Sequence, residues 1–143
     1  MNFIRIAYKL VLFGLFILSY VLVSLFWRVW SRDLLVRRHH YTHTVSFFCR
    51  LALWLLRFRI QAKNVPPDAK SFLLVGNHLG MLDILVAAAH KPMLFITSVE
   101  MRNTPGLGFL AEMGGCLYVE RRSRTNIANE TGEILDALKQ GFS

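Results

Sequence analysis

The stretch LLVGNHLGMLDIL, residues 73–85, decides how this chain is read. An apolar run ends at Gly76, Asn77 and His78 follow it directly, and Asp83 stands five residues beyond the histidine. Five residues of regular helix turn through about 500°, leaving the two side chains about 140° apart, whereas helical neighbours are three or four positions apart. His78 and Asp83 therefore meet only if the chain changes state between them. The histidine then sits in the loop leaving a strand and the aspartate in the first turns of the next helix. Gly76 and Gly80 permit so tight a bend, and the strand ends of open α/β sheets are where ligands tend to bind.

Outward from this point the chain alternates. Residues 71–76 read as a short apolar strand, 81–90 as a helix, 93–98 as a second strand set off by Pro92, and 116–120 as a third. Between the last two strands, residues 103–115 form a glycine-punctuated connection with room for a short helix near 107–113. Residues 125–139 read as an amphipathic helix with Ile127, Ile134, Leu135 and Leu138 near one face. This order predicts an α/β fold, a mixed sheet flanked by helices. The polar passage QAKNVPPDAK, residues 61–70, is broken by Pro66 and Pro67 and marks the boundary with what precedes it. The sequence closes on LKQGFS, a helix followed by a glycine. Three strands are few for a covered sheet, so the domain is expected to be truncated.

The preceding region, residues 1–60, predicts a membrane anchor. The whole chain has 143 residues, 54% hydrophobic and 18% charged, with a formal net charge of +8 and a mean hydropathy of +0.39. Residues 10–27 carry no charge, and 6–27 are interrupted only by Lys9, close to the ~20 residues that span a hydrocarbon core. A cleavable leader would have a shorter apolar core and a small-residue cleavage site, where this chain has FWRVW. Arg5 and Lys9 precede the segment, while Arg28, Arg32, Arg37 and Arg38 follow it, which favours a cytoplasmic downstream region. Trp27 and Trp30 fall where an interfacial aromatic belt is expected. A second apolar run, 45–58, carries Arg50 in its middle and reads as an interfacial helix or half of a hairpin anchor, its arginines reaching toward headgroups.

Basic charge on so apolar a chain points to anionic lipid rather than nucleic acid, because most aromatics fall in the anchor segments instead of on a solvated basic face. Cys49 and Cys116 define neither a disulfide framework nor a metal site and read as buried fillers. No Gly-x-Ser-x-Gly elbow is present, which argues against a serine hydrolase. A carboxylate on one imidazole nitrogen fixes the tautomer and leaves the other nitrogen as a general base. No Ser or Cys occurs between residues 72 and 97 to serve as its nucleophile. The implied chemistry is deprotonation of a substrate hydroxyl. Arg121, Arg122 and Arg124, at the end of the third strand, read either as a solvated basic loop or as a phosphate clamp.

NHLGMLD, residues 77–83, resembles the Asn-His-x4-Asp block of the glycerolipid acyltransferase family, typified by 1-acyl-glycerol-3-phosphate acyltransferases. GGCLYVERR resembles that family's second block, with Tyr118 in its Phe position and Arg121 on its arginine, and the connector's glutamate and Pro-x-x-Gly recur as Glu100 and Pro105–Gly108. The resemblance covers about residues 60–143. It implies direct transfer of an acyl group from an acyl-CoA or acyl carrier protein thioester to a lysophospholipid hydroxyl, with no cofactor and no metal. His78 would be the general base, Asp83 its orienting partner, and Asn77, Glu100, Arg121 and Arg122 would bind substrate. Ser98 stands where the connector often carries a lysine, so either Arg102, Arg122 or Arg124 supplies that cation or the acceptor headgroup differs. The family's third block would follow LKQGFS, in keeping with truncation. Membrane placement then implies a bacterial inner membrane with the catalytic part on the cytoplasmic side. The competing reading is a membrane-associated, anionic-lipid-binding fragment without turnover.

Overall fold

The computed structural model describes residues 3–63, 71–77, 80–120 and 127–143, without the side chains of Ile4, Arg5, Met81, Ile127, Ala128 and Asn129. In chain order it contains α1 (Phe3–Trp30), α2 (Leu34–Leu55), α3 (Met81–His90), β1 (Ile96–Ser98), α4 (Val99–Arg102), α5 (Leu107–Met113), β2 (Leu117–Val119) and α6 (Ile127–Lys139).

α1 is 28 residues without a proline, about 42 Å at 1.5 Å per residue. It is apolar on all sides: Leu10, Phe13, Leu18 and Leu22 are exposed on different faces. Its stretch Ile6–Trp30 is long and apolar enough to cross a membrane, and 6% of it is buried within the protein. A helix apolar all round and left uncovered by its own fold has its surface matched by lipid, which supports a membrane location.

α2 begins eleven residues before the expected 45–58 run and absorbs all of it but the last three residues. Asp33 starts it, its carboxylate accepting the Leu35 N–H at 2.7 Å. It ends in a Schellman arrangement: Phe58 N–H donates to Leu53 O, Arg57 N–H to Trp54 O, and Arg57 adopts φ +57°. The two helices form an antiparallel hairpin. Phe16 and Tyr20 meet Phe48 edge-on, and further along Trp27 stacks on His40 with ring centroids 3.8 Å apart.

α2 also carries the α/β part. Cys49 and Leu53 pack with Ala88 and Ala89 of α3, with Leu85, Val86 and Phe95 around them. Arg50 does not reach for headgroups as expected. Its Nε donates to the Ala89 carbonyl at 2.7 Å, satisfying an orphan acceptor at the end of α3.

The fold is α/β. β1 and β2 run parallel, with Ile96 opposite Leu117, Thr97 opposite Tyr118 and Ser98 opposite Val119. α4 and α5 make the crossover that a parallel pair requires. Residues 71–76, expected as a strand, carry no ladder bonds, and Leu73, Leu74 and Val75 are exposed. Without a paired neighbour among the described residues, an apolar run is not a strand. Both paired strands are three residues long, shorter than the apolar runs that contain them. After α6 the chain turns at Gly141 (φ +89°), and the Ser143 carbonyl accepts the Leu94 N–H at 2.7 Å, just before β1.

Candidate active site

Asp83 occupies the first turn of α3, where a negative charge is favoured by the helix dipole. Its Oδ2 accepts the N–H of the N-cap Gly80 at 3.0 Å, while its own N–H donates to the Gly80 carbonyl. This reciprocal pair fixes the carboxylate at the mouth of the helix. Asn77 lies three residues ahead of Gly80, exposed and outside any helix or strand. His78 lies outside the described residues, as do Arg121, Arg122 and Arg124.

Glu100 and Arg102 project from α4, the short helix that begins at the C-terminal end of β1. Ser98 ends β1 with no side-chain hydrogen bond to the helix it precedes. The Arg102 guanidinium lies over the Tyr118 ring, 5.4 Å from its centroid. Gly108 explains the Pro-x-x-Gly signature: a Cβ there would collide with the Arg102 carbonyl. Only glycine lets α5 pass so close to the end of α4. Gly106 contributes a backbone with φ +77°, which disfavours a side chain.

One residue was not legible in the sequence. Glu130 of α6 accepts the Glu120 N–H through Oε1 at 2.9 Å, tying the end of β2, immediately before Arg121, to the last helix. It is an acidic residue in the first turn of an amphipathic helix, where a carboxylate at a helix N-terminus is commonplace. Cys49 and Cys116 are free thiols, each pushed up to about 11 by burial. Neither is a nucleophile near neutrality. Among the described residues no cluster of His, Cys, Asp or Glu could hold a metal ion.

Among the described residues the site thus comprises Asp83, fixed at the mouth of α3, with the exposed Asn77 three residues ahead of its N-cap. The acyltransferase family profile matches residues 57–142, and the chain belongs to this family. Among individual relatives, it is 33% identical over 96 residues to a lyso-ornithine lipid O-acyltransferase of Brucella abortus, covering 67% of this chain and 36% of that protein. A 1-acyl-sn-glycerol-3-phosphate acyltransferase of Neisseria gonorrhoeae is 29% identical over 79 residues, 55% of this chain and 31% of that protein. A lyso-ornithine lipid O-acyltransferase of Pseudomonas aeruginosa is 33% identical over 76 residues, 49% of this chain and 29% of that protein. The chain thus spans about a third of the length of the relatives it matches. No solved structure matches it.

Proposed function

We propose that this chain carries the base-bearing part of an acyltransferase that moves a fatty acyl group from an acyl-CoA or acyl carrier protein thioester to the free hydroxyl of a lysophospholipid. The acceptor is 1-acyl-sn-glycerol-3-phosphate and the product phosphatidic acid. The observation that carries this reading is Asp83, held in the first turn of α3 by Gly80, five residues after His78, within the matched family region.

His78 takes the proton of the acceptor hydroxyl through one imidazole nitrogen while Asp83 holds the other. The oxygen attacks the thioester carbonyl, a new C–O bond forms and the C–S bond breaks. The proton on His78 then passes to the leaving thiolate. No acyl-enzyme forms. Arg121 and Arg122 bind the acceptor phosphate, with guanidinium geometry suited to bidentate contact, and Asn77 and Glu100 complete the substrate contacts. α1 anchors the protein in a bacterial inner membrane, and the basic residues following it keep the catalytic part on the cytoplasmic side.

A second acceptor is favoured by Ser98 together with the Brucella and Pseudomonas relatives named for lyso-ornithine lipid. A missing lysine suits a headgroup without a phosphate monoester. The test is acyl transfer in membranes from a labelled acyl thioester to lysophosphatidate and to lyso-ornithine lipid in parallel. Lysophosphatidate acylation that falls in Arg121→Gln supports the first reading. Turnover of lyso-ornithine lipid alone moves the assignment to the second. If neither lipid is acylated by the full-length protein, another acceptor is tested next, and anionic-lipid binding that survives His78→Ala favours the non-catalytic reading.

A further inference from the structure

β2 ends at Val119, and Arg121 stands two positions further on. The peptide between them is pinned from outside the sheet: Glu130 Oε1, in the first turn of α6, accepts the Glu120 N–H at 2.9 Å. A neutral amide would accept that hydrogen equally well, so the bond alone does not account for a carboxylate. The start of a helix favours negative charge, yet it leaves the second oxygen unexplained. Glu130 Oε2 is buried and has no hydrogen-bond partner among the described residues. A buried anionic oxygen without a donor is costly, and a guanidinium is the donor best fitted to a carboxylate. One turn along the same helix Glu133 already has such a partner, Arg38, at 2.6 Å. For Glu130 the covalent chain points to the next residue in line. Arg121 lies outside the described residues, but it follows Glu120 directly. Standard backbone lengths therefore keep its Cα within about 8 Å of Glu130 Oε1, a span that an extended arginine side chain covers.

We infer that Glu130 is the positioning residue of the arginine block, a role that rests on Arg121 binding the acceptor as proposed above. Oε1 fixes the direction in which the chain leaves β2, and Oε2 accepts from the Arg121 guanidinium. A guanidinium has five N–H donors in a rigid fork, so one edge is held by Glu130 while another meets the acceptor. Glu130 touches no substrate and acts through Arg121.

The test is steady-state acyl transfer by the full-length protein, with kcat, the KM for lysophosphatidate and the KM for the acyl thioester read separately. Glu130→Gln keeps an oxygen for the Glu120 N–H and loses the second oxygen and the charge. The expected result is a KM for lysophosphatidate raised about tenfold, with kcat, the thioester KM and the melting temperature nearly unchanged. Glu133→Gln removes the same charge from the same helix and is expected to leave every constant as it was. The double variant Glu130→Gln/Arg121→Gln is expected to match Arg121→Gln alone, because one residue acts through the other. Multiplied effects in the double variant, or an equal rise in Glu133→Gln, would overturn the role of Glu130. So would kcat and melting temperature falling in step with a rising KM, which would make Glu130 purely structural. If Arg121→Gln raises the acceptor KM and Glu130→Gln does not, Glu130 loses its role and the acceptor site stands as proposed. If Arg121→Gln itself leaves that KM unchanged, the acceptor site fails and the role of Glu130 falls with it.

Discussion

The carboxylate of Asp83 accepts the Gly80 N–H at 3.0 Å, so substitution there mixes a structural and a chemical effect, and the two can be separated. Asp83→Ala removes the acceptor and is expected to lower stability by about 1 kcal/mol, the usual cost of losing a helix cap. Asp83→Asn keeps an oxygen for Gly80 and loses only the charge, worth about 0.3–1 kcal/mol at a helix N-terminus. If Asp83 also orients the base, Asp83→Asn lowers acyl transfer by about 10² or more while the melting curve barely moves. A rate and a melting curve falling in step would assign Asp83 to structure alone. The thiols give a second check at this scale. A thiol is neutral below its pKa, so with both cysteines at about 11, roughly one in a thousand is ionised at pH 8. Iodoacetamide is expected to label the native chain slowly, faster as pH rises, and without effect on turnover. Rapid labelling at pH 7 would contradict the raised pKa of these thiols.

At the scale of elements, Gly108 is the position with least freedom, because a Cβ would meet the Arg102 carbonyl. Gly108→Ala is expected to destabilise by about 1–3 kcal/mol, as overpacking does, measured by denaturant unfolding; an unchanged midpoint would contradict the α4–α5 packing. Helix formers with few breakers made α3 readable from sequence alone, periodicity did so for α6, and length and composition for α1. α2 was readable only in its second half. Its first half, RRHHYTHT, is polar, yet Tyr41, Thr42 and Thr44 are buried there. The threonine hydroxyls donate to the His39 and His40 carbonyls at 2.9 and 2.8 Å, so polar side chains are satisfied inside the helix and pack like small apolar ones. No hydrophobic pattern reports that. The run at 71–76 shows the reverse failure: its apolar residues look like a strand, but strand identity lies in a partner's hydrogen bonds and not in the run itself.

At the scale of the molecule, one face of the α1–α2 hairpin meets the α/β part along its length. Tyr20 of α1 donates to the Leu110 carbonyl of α5 at 3.3 Å, and Arg28 faces Glu112. These contacts join residues more than 80 positions apart, which is why Arg28, Arg37 and Arg38 read as flanking charge in the sequence while the two helices of the hairpin bring them to one cavity beside α5 and β2 in the fold. The Asn-His-x4-Asp block is a local pattern, and of its three named residues the fold describes Asn77 and Asp83. With α1 uncovered and apolar, the chain is expected to stay in the membrane fraction through high salt and alkaline carbonate; release by salt alone would show electrostatic attachment instead. The account rests on His78 as the base. The most direct measurement is the rate of acyl transfer from a labelled thioester to lysophosphatidate by membranes carrying the full-length protein or its His78→Ala variant at equal abundance. The account predicts turnover that falls by about 10²–10⁴ in the variant, and an unchanged rate would contradict it.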